Sequence, residues 1–429
     1  MEITINPVEK IEGQIKVPGD QSIAHRALFF SSLTENVMEI EGLSAVGETL
    51  STLKCLKELG VEFEGNGESL KVKGKGLRGF KEPDNVLDAG NSETTACFLA
   101  GLLAGQPFYS TLTGGSLLRR RPMQRITASL QQMGAAVSGR QNNKLLPLSI
   151  RGYDLLPINY TLPVPDALVK SALLVAALYS RGVSEIIDPY GTRDHTERAL
   201  RYLGAGIKKL GEYHIRLQSP VKLKGERFHL PGDLSAATFF IVAAVLAPRG
   251  ELYVEDVGVN PSRTGILDVL GQMGATISFL NAREYNCEPV ADLHVKGGGK
   301  LTGVEICGEM LPRIVEEIPV FIAAALLAEG DTVINGISVL RAEELDRLRS
   351  ISLELQKMGA LIEEFPNRLV IKGGAKLSGA RCASHGDHRI AMSLATAALF
   401  AGSESVISGV EAVQAFFPGF FEIMTGLES

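Results

Sequence analysis

Amphipathic segments that end in a bulky apolar residue followed by glycine recur along the chain. In five copies the two residues are adjacent, and the sixth is looser by one residue: Leu59-Gly60, Met133-Gly134, Leu203-Gly204, Met273-Gly274, Met358-Gly359 and Met424 with Gly426. Alternating segments such as 135–137, 275–277 and 293–295 follow the better-preserved copies. Each unit therefore predicts a helix, a glycine stop and a pair of strands. Six such units, spaced roughly 70 residues apart, indicate a repeated α/β architecture.

A longer repeat divides the chain into two similar halves. The stretch Val-Pro-Gly-Asp-Gln-Ser at 17–22 recurs 213 residues later as Leu-Pro-Gly-Asp-Leu-Ser at 230–235, and each copy leads into an apolar helix pattern. Asp20 and Asp233 stand where a helix N-cap belongs. The paired crossings predict a hinge with an active cleft between two domains. The predicted domains are 20–231 and, for the second, 1–19 together with 232–429.

Composition narrows the class of protein. The hydrophobic content of 45% is enough for sizeable cores, and the net charge of −6 argues against broad nucleic-acid binding. No run of 18 or more apolar residues predicts a membrane span, and the alternating segment after Met1 does not resemble a signal peptide. Five scattered cysteines show neither metal-ligand nor disulfide spacing. We expect a cytoplasmic protein without a metal site, a membrane contact or a nucleic-acid partner.

Arginine-rich segments precede several of the apolar helix patterns. They lie at 119–123, 192–198, 341–349 and 386–389. A single segment of this kind is usually a solvated helix end, but recurrence at similar points of successive repeats predicts helix N-termini that bind a polyanion. Arg26 supports this interpretation, because its counterpart in the second half is the apolar Phe239. The loop-to-helix stretch 88–95 lacks the P-loop pattern, and no dinucleotide fingerprint follows a strand, so no nucleotide cofactor is predicted.

Taken together, these stretches resemble the enolpyruvyl transferase family, most closely its 5-enolpyruvylshikimate-3-phosphate (EPSP) synthase branch. The similarity runs from end to end of the chain. The matching motifs are Pro18-Gly19-Asp20-x-Ser22, His25-Arg26, 87–92, Arg120-Arg121-Pro122-Met123, 169–172, 193–198, 231–233, 260–265 and 387–392. The resemblance implies a two-domain inverse α/β barrel built from six βαβαββ units, three in each domain.

The family's reaction is also implied by the resemblance. Its members transfer the carboxyvinyl group of phosphoenolpyruvate to the 5-hydroxyl of shikimate 3-phosphate, by addition and then elimination of phosphate, without a metal or organic cofactor. The resemblance assigns Glu316, Glu344 and His388 to proton transfer and orientation. It assigns Arg121 to the phosphate of phosphoenolpyruvate, Arg347 and Arg389 to its carboxylate, and Ser22, Arg26 and Arg193 to the ring acid.

Several ligand-side positions depart from the family pattern. A lysine is replaced by Gln21, a glycine by Glu93, an arginine by Cys97, a phosphate-binding serine by Asp166, a glutamine by Leu168 (after Ala167), a lysine by Glu343 and the aspartate base by Glu316. Gln21, Glu93, Asp166 and Glu343 all lose positive charge or gain negative charge. Two like charges about 4 Å apart repel by roughly 4 kcal/mol at an effective dielectric near 20, which would disfavour a trianionic donor.

These departures predict an EPSP synthase-like enzyme that acts on a shikimate-like cyclic hydroxy-carboxylate with an altered substrate or reaction, such as elimination, dehydration or a modified transfer. The alternative is the family's ordinary reaction, because the scaffold and the arginines are retained. A second alternative is a non-catalytic binding protein on the same scaffold. A UDP-sugar enolpyruvyl transferase is disfavoured, because its cysteine-bearing glycine loop is not seen. We expect a small-molecule substrate, no cofactor and a monomer.

Overall fold

The chain folds into two units, each with dense internal contacts. The structure, a computed structural model, describes residues 1–44, 46–66 and 69–428. The first unit contains residues 19–231 and 284–288, and the second contains 1–18, 232–283 and the residues from 289 onward. The predicted boundaries had placed Gly19 and 284–288 with the second half. Segment 284–288 belongs to the first unit through contacts such as that of Glu288 Oε1 with His195 Nδ1, at 2.8 Å, and that of Cys287 O with Arg198. The hinge and the cleft stay predictions.

Helices and groups of strands follow one another along the chain, and short 3₁₀ turns lie at Leu118–Arg120 and Ile337–Val339. The strands are β1 (Glu2–Ile5), β2 (Lys10–Lys16), β3 (Val37–Glu41), β4 (Glu62–Asn66), β5 (Ser69–Lys73), β6 (Leu87–Asp88), β7 (Tyr109–Thr113), β8 (Ala136–Gly139), β9 (Leu145–Arg151), β10 (Asn159–Thr161), β11 (Gly182–Ile187), β12 (Gly206–Lys209), β13 (His214–Ser219), β14 (Arg227–His229), β15 (Arg249–Gly258), β16 (Thr276–Tyr285), β17 (Glu288–Lys296), β18 (Glu305–Ile306), β19 (Thr332–Asn335), β20 (Ile362–Phe365), β21 (Arg368–Ile371), β22 (Arg381–Ala383) and β23 (Ser405–Ser408). The helices are α1 (Gln21–Ser32), α2 (Thr49–Glu58), α3 (Glu93–Ala104), α4 (Gln124–Gln132), the left-handed turn α5 (Arg140–Asn143), α6 (Ala167–Ala177), α7 (His195–Tyr202), α8 (Leu234–Leu246), α9 (Gly265–Gln272), α10 (Met310–Ile314), α11 (Ile318–Leu327), α12 (Ala342–Lys357), α13 (His388–Ala398), α14 (Glu411–Phe416) and α15 (Phe420–Gly426).

The sheets share one topology: a parallel pair of strands is extended by antiparallel pairing. In the first unit the strand orders are β14-β3-β5-β4, β6-β7-β9-β8 and β10-β11-β13-β12. In the second unit they are β16-β17-β15-β2, β18-β19-β21-β20 and the three-stranded β1-β23-β22. A buried helix connects the parallel strands in units such as β6-α3-β7 and β22-α13-β23. The predicted repeat of helices and strand pairs is therefore present in both units.

Two kinds of helix alternate in the repeats. Helices α1, α3, α6, α8, α11 and α13 are buried over most of their length, and apolar or small residues predominate in most of them. They form the core of each unit, where Phe29 stacks on Phe98 in the first and Phe240 packs against Phe420 in the second. The alternate helices are amphipathic, as α4 shows by burying Ile126 and Leu130. In the described part of the chain, no helix combines the length and the apolar character needed to cross a membrane.

Glycine ends five of the amphipathic helices, as the sequence predicts. Helices α2, α4, α7, α9 and α12 are each followed by the apolar residue and then by a glycine of positive φ, which is 87°, 98°, 80°, 104° and 93° in chain order. This left-handed conformation carries no penalty for a residue without a Cβ atom. The prediction is wrong for the sixth copy. Gly426 is the last residue of α15, and Leu427 ends that helix in a right-handed conformation.

The duplicated Pro-Gly-Asp motif caps a helix in each unit. Asp20 accepts a hydrogen bond from the backbone N of Ile23 at 2.9 Å, and Asp233 accepts one from Ser235 N at 2.8 Å. In the first unit the backbone N of Asp20 donates to Pro231 O, and in the second the N of Asp233 donates to Pro18 O, both at 2.8 Å. Both predicted N-caps are confirmed, so the aspartate side chain satisfies one of the first N–H groups in each of the buried helices α1 and α8.

Alanine at Gly274 and at Gly271 is expected to change stability in opposite directions. Gly274 has φ +104°, and a Cβ atom there would lie 3.2 Å from Lys300 O, so Gly274→Ala should destabilise the second unit by about 1–2 kcal/mol. Gly271 lies within α9 with open space around its Cβ position, so Gly271→Ala should stabilise by about 0.5–1 kcal/mol. Denaturant unfolding of both variants measures this. Equal signs would contradict the conformational argument.

Candidate active-site residues

The buried guanidinium of Arg26 is the centre of a polar cluster in the first unit. Arg26 is 3% exposed; its Nη1 donates to Ser22 O at 2.7 Å, Nε to Thr196 Oγ1 at 2.9 Å and Nη2 to Ser171 Oγ at 3.2 Å. Burial lowers the pKa of Arg26 to about 10, while carboxylates farther away, foremost that of Glu197, oppose the shift. Within the described residues the acceptors in contact are neutral oxygens. A buried cation without a contacting carboxylate favours an anionic ligand.

The other ring-acid candidates of the first unit lie on the same elements. Gln21 and Ser22 open α1, and both are half-buried. Arg193 is half-buried in the loop before α7, and its charge contributes to the lowered pKa of Arg26. The structure therefore brings Ser22, Arg26 and Arg193 into one neighbourhood, which the carboxylates of Glu197, Asp20 and Glu288 also influence.

Glu93 and Arg121 form an ion pair in the first unit. Glu93 is the first residue of α3, after the N-cap Ser92. Arg121 Nη1 donates to Glu93 Oε2 at 2.6 Å, and the two side chains are 29% and 22% exposed. The arginine that the resemblance assigns to a ligand phosphate therefore already contacts a protein carboxylate. Cys97, at the position of a family arginine, is buried one turn further along α3.

Asp166 has a structural explanation that the sequence interpretation did not include. It is the N-cap of α6, and its Oδ1 accepts from the backbone N atoms of Leu168 and Val169 at 3.1 Å. Its Oδ2 accepts from Arg125 Nη1 at 3.0 Å. The helix N-terminus and Arg125 both stabilise its negative charge. Ala167 and Leu168 form the first turn of α6, and Leu168 packs against the core.

A second cluster, in the second unit, joins Glu316 and Arg389. Arg389 Nη2 lies 3.3 Å from Glu316 Oε2, and its Nη1 donates to the backbone O of Glu316 at 3.2 Å. Burial lowers the pKa of Arg389, but the carboxylates, with Glu316 first and Glu317 next, outweigh it and raise that pKa above its ordinary value. Glu316, the candidate base, and Arg389, a candidate for binding the substrate carboxylate, therefore form an ion pair with each other.

His388 is the first residue of α13, and its ring packs against Phe416. Its ring stacks on Phe416 with 4.2 Å between centroids, and its buried Nε2 has no hydrogen bond to any described residue. Burial, and then the charge of Arg389, lower the pKa of His388 to about 3, so the imidazole is neutral at pH 7. The preceding Asp387 caps α13 and accepts from Arg347 Nε at 2.7 Å. A neutral imidazole can hydrogen-bond to a ligand but cannot supply a positive charge.

The two acidic candidates on α12 lie in its first turn. Glu344 Oε2 accepts a hydrogen bond from the backbone N of Arg341 at 2.8 Å, which is a capping contact. Glu343 is exposed in the same turn. Acidic side chains are favoured at this end of a helix, so both positions have a structural explanation beside the predicted catalytic and substrate-binding roles.

Cysteine, histidine and carboxylate side chains are the groups that could bind a metal ion or act as nucleophiles. In the described part of the chain, none of the five cysteines forms a disulfide. Burial raises the pKa of the Cys55 thiol to about 12, so this thiol is not a ready nucleophile. Among the residues that the structure describes, no group of three or more His, Cys, Asp or Glu side chains is placed to hold a metal ion.

Sequence comparison identifies the family. The profile of EPSP synthase (3-phosphoshikimate 1-carboxyvinyltransferase) matches residues 5–424. The chain belongs to the EPSP synthase family. A relative from Pelotomaculum thermopropionicum, named 3-phosphoshikimate 1-carboxyvinyltransferase, is 45% identical over 425 residues, which cover 99% of this chain and 98% of the relative. A relative of the same name from Desulforamulus reducens is 44% identical over 99% of each chain.

Solved structures of the family share the fold. An EPSP synthase from Acinetobacter baumannii superposes with a TM-score of 0.92 at 36% identity, over 99% of this chain and 98% of that one. A second structure of the enzyme from that organism gives a TM-score of 0.91 at 36% identity. The predicted fold class, the two-domain inverse α/β barrel of the EPSP synthase family, is confirmed.

Two buried charged residues, Lys170 and Arg263, lie near the predicted site residues but were given no role from the sequence. Lys170 is fully buried on α6, where Nζ lies 2.9 Å from Asp188 Oδ2 and 2.8 Å from Glu197 Oε1. Arg263 is buried in the second unit; it donates to Ser235 Oγ at 2.7 Å and lies 3.9 Å from Glu316 Oε2. The sequence could have indicated Lys170, because a lysine is unusual inside an apolar helix pattern. It could have indicated the surroundings of Arg263 only through Ser235, the serine that repeats Ser22 in the second half.

His25 is expected to make the stability of the first unit depend on pH. It is buried on α1 beside Thr52, and burial, followed by Arg26, lowers its pKa to about 3. The unfolded ring takes up a proton near pH 6.5, whereas the folded ring does not until about pH 3, so its stabilising contribution is complete above pH 6.5 and is lost as the pH falls. Between pH 7 and pH 5 this one group should cost about 2 kcal/mol of unfolding free energy.

Denaturant unfolding of the wild type and His25→Gln at both pH values tests this expectation. The variant should lose less stability on acidification than the wild type, by about 2 kcal/mol, whatever its stability at pH 7. An unchanged pH dependence in the variant would contradict the assignment of this effect to His25.

Proposed function

We propose that this chain transfers the carboxyvinyl group of phosphoenolpyruvate to the 5-hydroxyl of shikimate 3-phosphate. One observation carries the proposal: relatives with the printed name 3-phosphoshikimate 1-carboxyvinyltransferase are 45% and 44% identical over nearly the whole chain. The retained Arg26, Arg121, Arg347 and Arg389 support it, because both substrates are acids with several negative charges and guanidinium groups bind carboxylate and phosphate oxygens in pairs.

Arg26 suits the carboxylate of the ring acid. A guanidinium carries five N–H donors, and three of them donate to Ser22 O, Thr196 Oγ1 and Ser171 Oγ. One N–H therefore remains on each Nη atom, which is the pair that a planar carboxylate accepts. Ser22 and Arg193 lie in the same neighbourhood and would add a polar and a cationic contact. Because the acceptors that contact Arg26 are neutral oxygens, its buried positive charge favours the binding of an acid.

The proposed chemistry needs one base and one acid. In the addition, the 5-hydroxyl oxygen bonds to C2 of phosphoenolpyruvate while a base takes the hydroxyl proton and C3 takes a proton from an acid. In the elimination, a proton leaves C3, the bond from C2 to the phosphate oxygen breaks, and inorganic phosphate is released. We assign Glu316 and Glu344 to these proton transfers. The neutral His388, with its buried Nε2, would orient a reacting group by a hydrogen bond.

Phosphate release from phosphoenolpyruvate and shikimate 3-phosphate tests the proposed reaction. The purified chain should release phosphate only when both compounds are present. Arg121→Gln should lower kcat/KM by roughly 30- to 150-fold, which corresponds to about 2–3 kcal/mol for one lost charge-assisted bond. The exposed neighbour Arg119 offers the control, because Arg119→Gln should leave kcat/KM unchanged. No phosphate release by the folded wild type would refute the proposal.

An altered substrate is the second candidate, and the ion pair of Glu93 with Arg121 favours it. A donor phosphate at Arg121 would have to displace the Glu93 carboxylate, which lies 2.6 Å from the guanidinium. A ligand with one fewer anionic group would leave this pair intact. On this hypothesis the unphosphorylated ring acid, or a donor without phosphate, is bound in preference.

Two substitutions of Glu93 separate charge from crowding. Glu93→Gln keeps the size and removes the charge, whereas Glu93→Gly removes both. If repulsion limits the site, Glu93→Gln should strengthen phosphoenolpyruvate binding at least about tenfold, equivalent to about 1.4 kcal/mol, and adding Gln21→Lys should strengthen it further. Calorimetric titration gives the affinities. If neither variant nor the double variant improves binding, Glu93 does not set the preference, and the ordinary reaction stands alone.

A further inference from the structure

A buried carboxylate on α12 holds the loop that leads into α13. Glu354 is 3% exposed, and its Oε2 accepts hydrogen bonds from the backbone N of Ala383 at 2.9 Å and from Lys357 Nζ at 2.7 Å. Its Oε1 lies 2.9 Å from His385 Nε2. Burial raises the pKa of Glu354, but the hydrogen bonds from Lys357, Ala383 and His385 outweigh it and lower that pKa below its ordinary value. The contacts therefore hold a charged group at neutral pH.

The same face of α12 also carries Arg347. Glu354 lies seven residues, or about two turns, after Arg347, so the two side chains project from one face of the helix. Arg347 Nε donates to Asp387 Oδ2 at 2.7 Å. Asp387 in turn accepts from the backbone N of Arg389 at 2.8 Å and caps α13. Helix α12 thus holds the loop at both ends, through Glu354 at 383–385 and through Arg347 at 387.

The loop between these two points has an unfavourable backbone. His385 has φ +54° and Gly386 has φ +75°. Glycine adopts this region freely, but a residue with a Cβ atom does so only when its surroundings hold it there. The His385 side chain is about half exposed and contacts the Glu354 carboxylate. Glu354 therefore supplies the contact that fixes the strained residue three positions before His388.

We infer that Glu354 is a positioning residue for His388 and Arg389. It acts on them through the loop 383–387. The inference rests on the proposed function only for the consequence in turnover, because His388 and Arg389 are assigned to the substrates there. Without the Glu354 contacts, the loop would relax from the left-handed conformation and the start of α13 would shift with its two side chains.

The direct test observes His388 itself. In protein with isotopically labelled histidine, the imidazole resonances of His388 should move in Glu354→Gln, because the amide keeps the shape but removes the charge that holds His385 and Ala383. Lys357→Met is the matched control, since Lys357 donates to the same carboxylate from the last turn of α12 itself. Its His388 resonances should stay at the wild-type positions. Unmoved resonances in Glu354→Gln, or equal movement in Lys357→Met, would overturn the inference.

Kinetics extends the test to the reaction. In Glu354→Gln the KM for phosphoenolpyruvate should rise about tenfold while the KM for shikimate 3-phosphate stays unchanged, because Arg26 and Arg193 lie in the other unit. Glu354→Asp, which keeps the charge but shortens the side chain, should give an intermediate KM. A rise in both KM values would indicate general loss of structure and contradict positioning. Absence of turnover in the wild type would count against the proposed function alone, since the resonances report on positioning without substrate.

Discussion

The burial of one helix in every repeat imposes the condition on which the rest of the structure depends. A helix surrounded by apolar side chains still begins with N–H groups that have no partner within the helix and need acceptors. N-cap side chains provide an acceptor on five of the six buried helices named above, α1, α3, α6, α8 and α13, through Asp20, Ser92, Asp166, Asp233 and Asp387, whereas α11 has no side-chain cap. Polar and charged groups are therefore concentrated at the starts of the buried helices. The arginines at these same ends add cations where the helix dipole already favours anions.

The repeated elements could be predicted because their signals are local. A glycine after Met133 or Met273 fixes the end of a helix through its own φ angle, and Asp20 caps the helix that begins beside it. The structure differs from the sequence-based prediction where contacts between residues far apart in the sequence determine the fold. Segment 284–288 belongs to the first unit through contacts such as that of Glu288 with His195, 93 residues away in sequence. Hydrophobic periodicity carries no information about such a partner.

The candidate site was predictable in its residue types but less so in their pairing. Family motifs name Arg121 and Asp166, but only the structure shows that Glu93 contacts the first and that Arg125 contacts the second. Charge counting from sequence treated the added carboxylates as uncompensated. In the structure each of these two acids meets an arginine from one short segment, four residues apart, so the local net charge changes much less than the substitutions suggest. Pair interactions between distant residues are what a single sequence leaves undetermined.

The ion pair of Glu93 with Arg121 changes the expected free-energy cost of binding a negatively charged donor. The repulsion of roughly 4 kcal/mol between two like charges about 4 Å apart applies only if Glu93 stays in place and Arg121 does not screen it. A phosphate entering at Arg121 would exchange one anion for another that carries more negative charge, so much of the lost ion pair would be regained. Glu93 is 22% exposed at the start of α3, where water and the helix dipole would still stabilise a displaced carboxylate. The net penalty is therefore the difference between two ion pairs, which is smaller than the bare repulsion. The acidic substitution is thus compatible with the family's ordinary reaction at reduced donor affinity, and altered chemistry is not required to explain it.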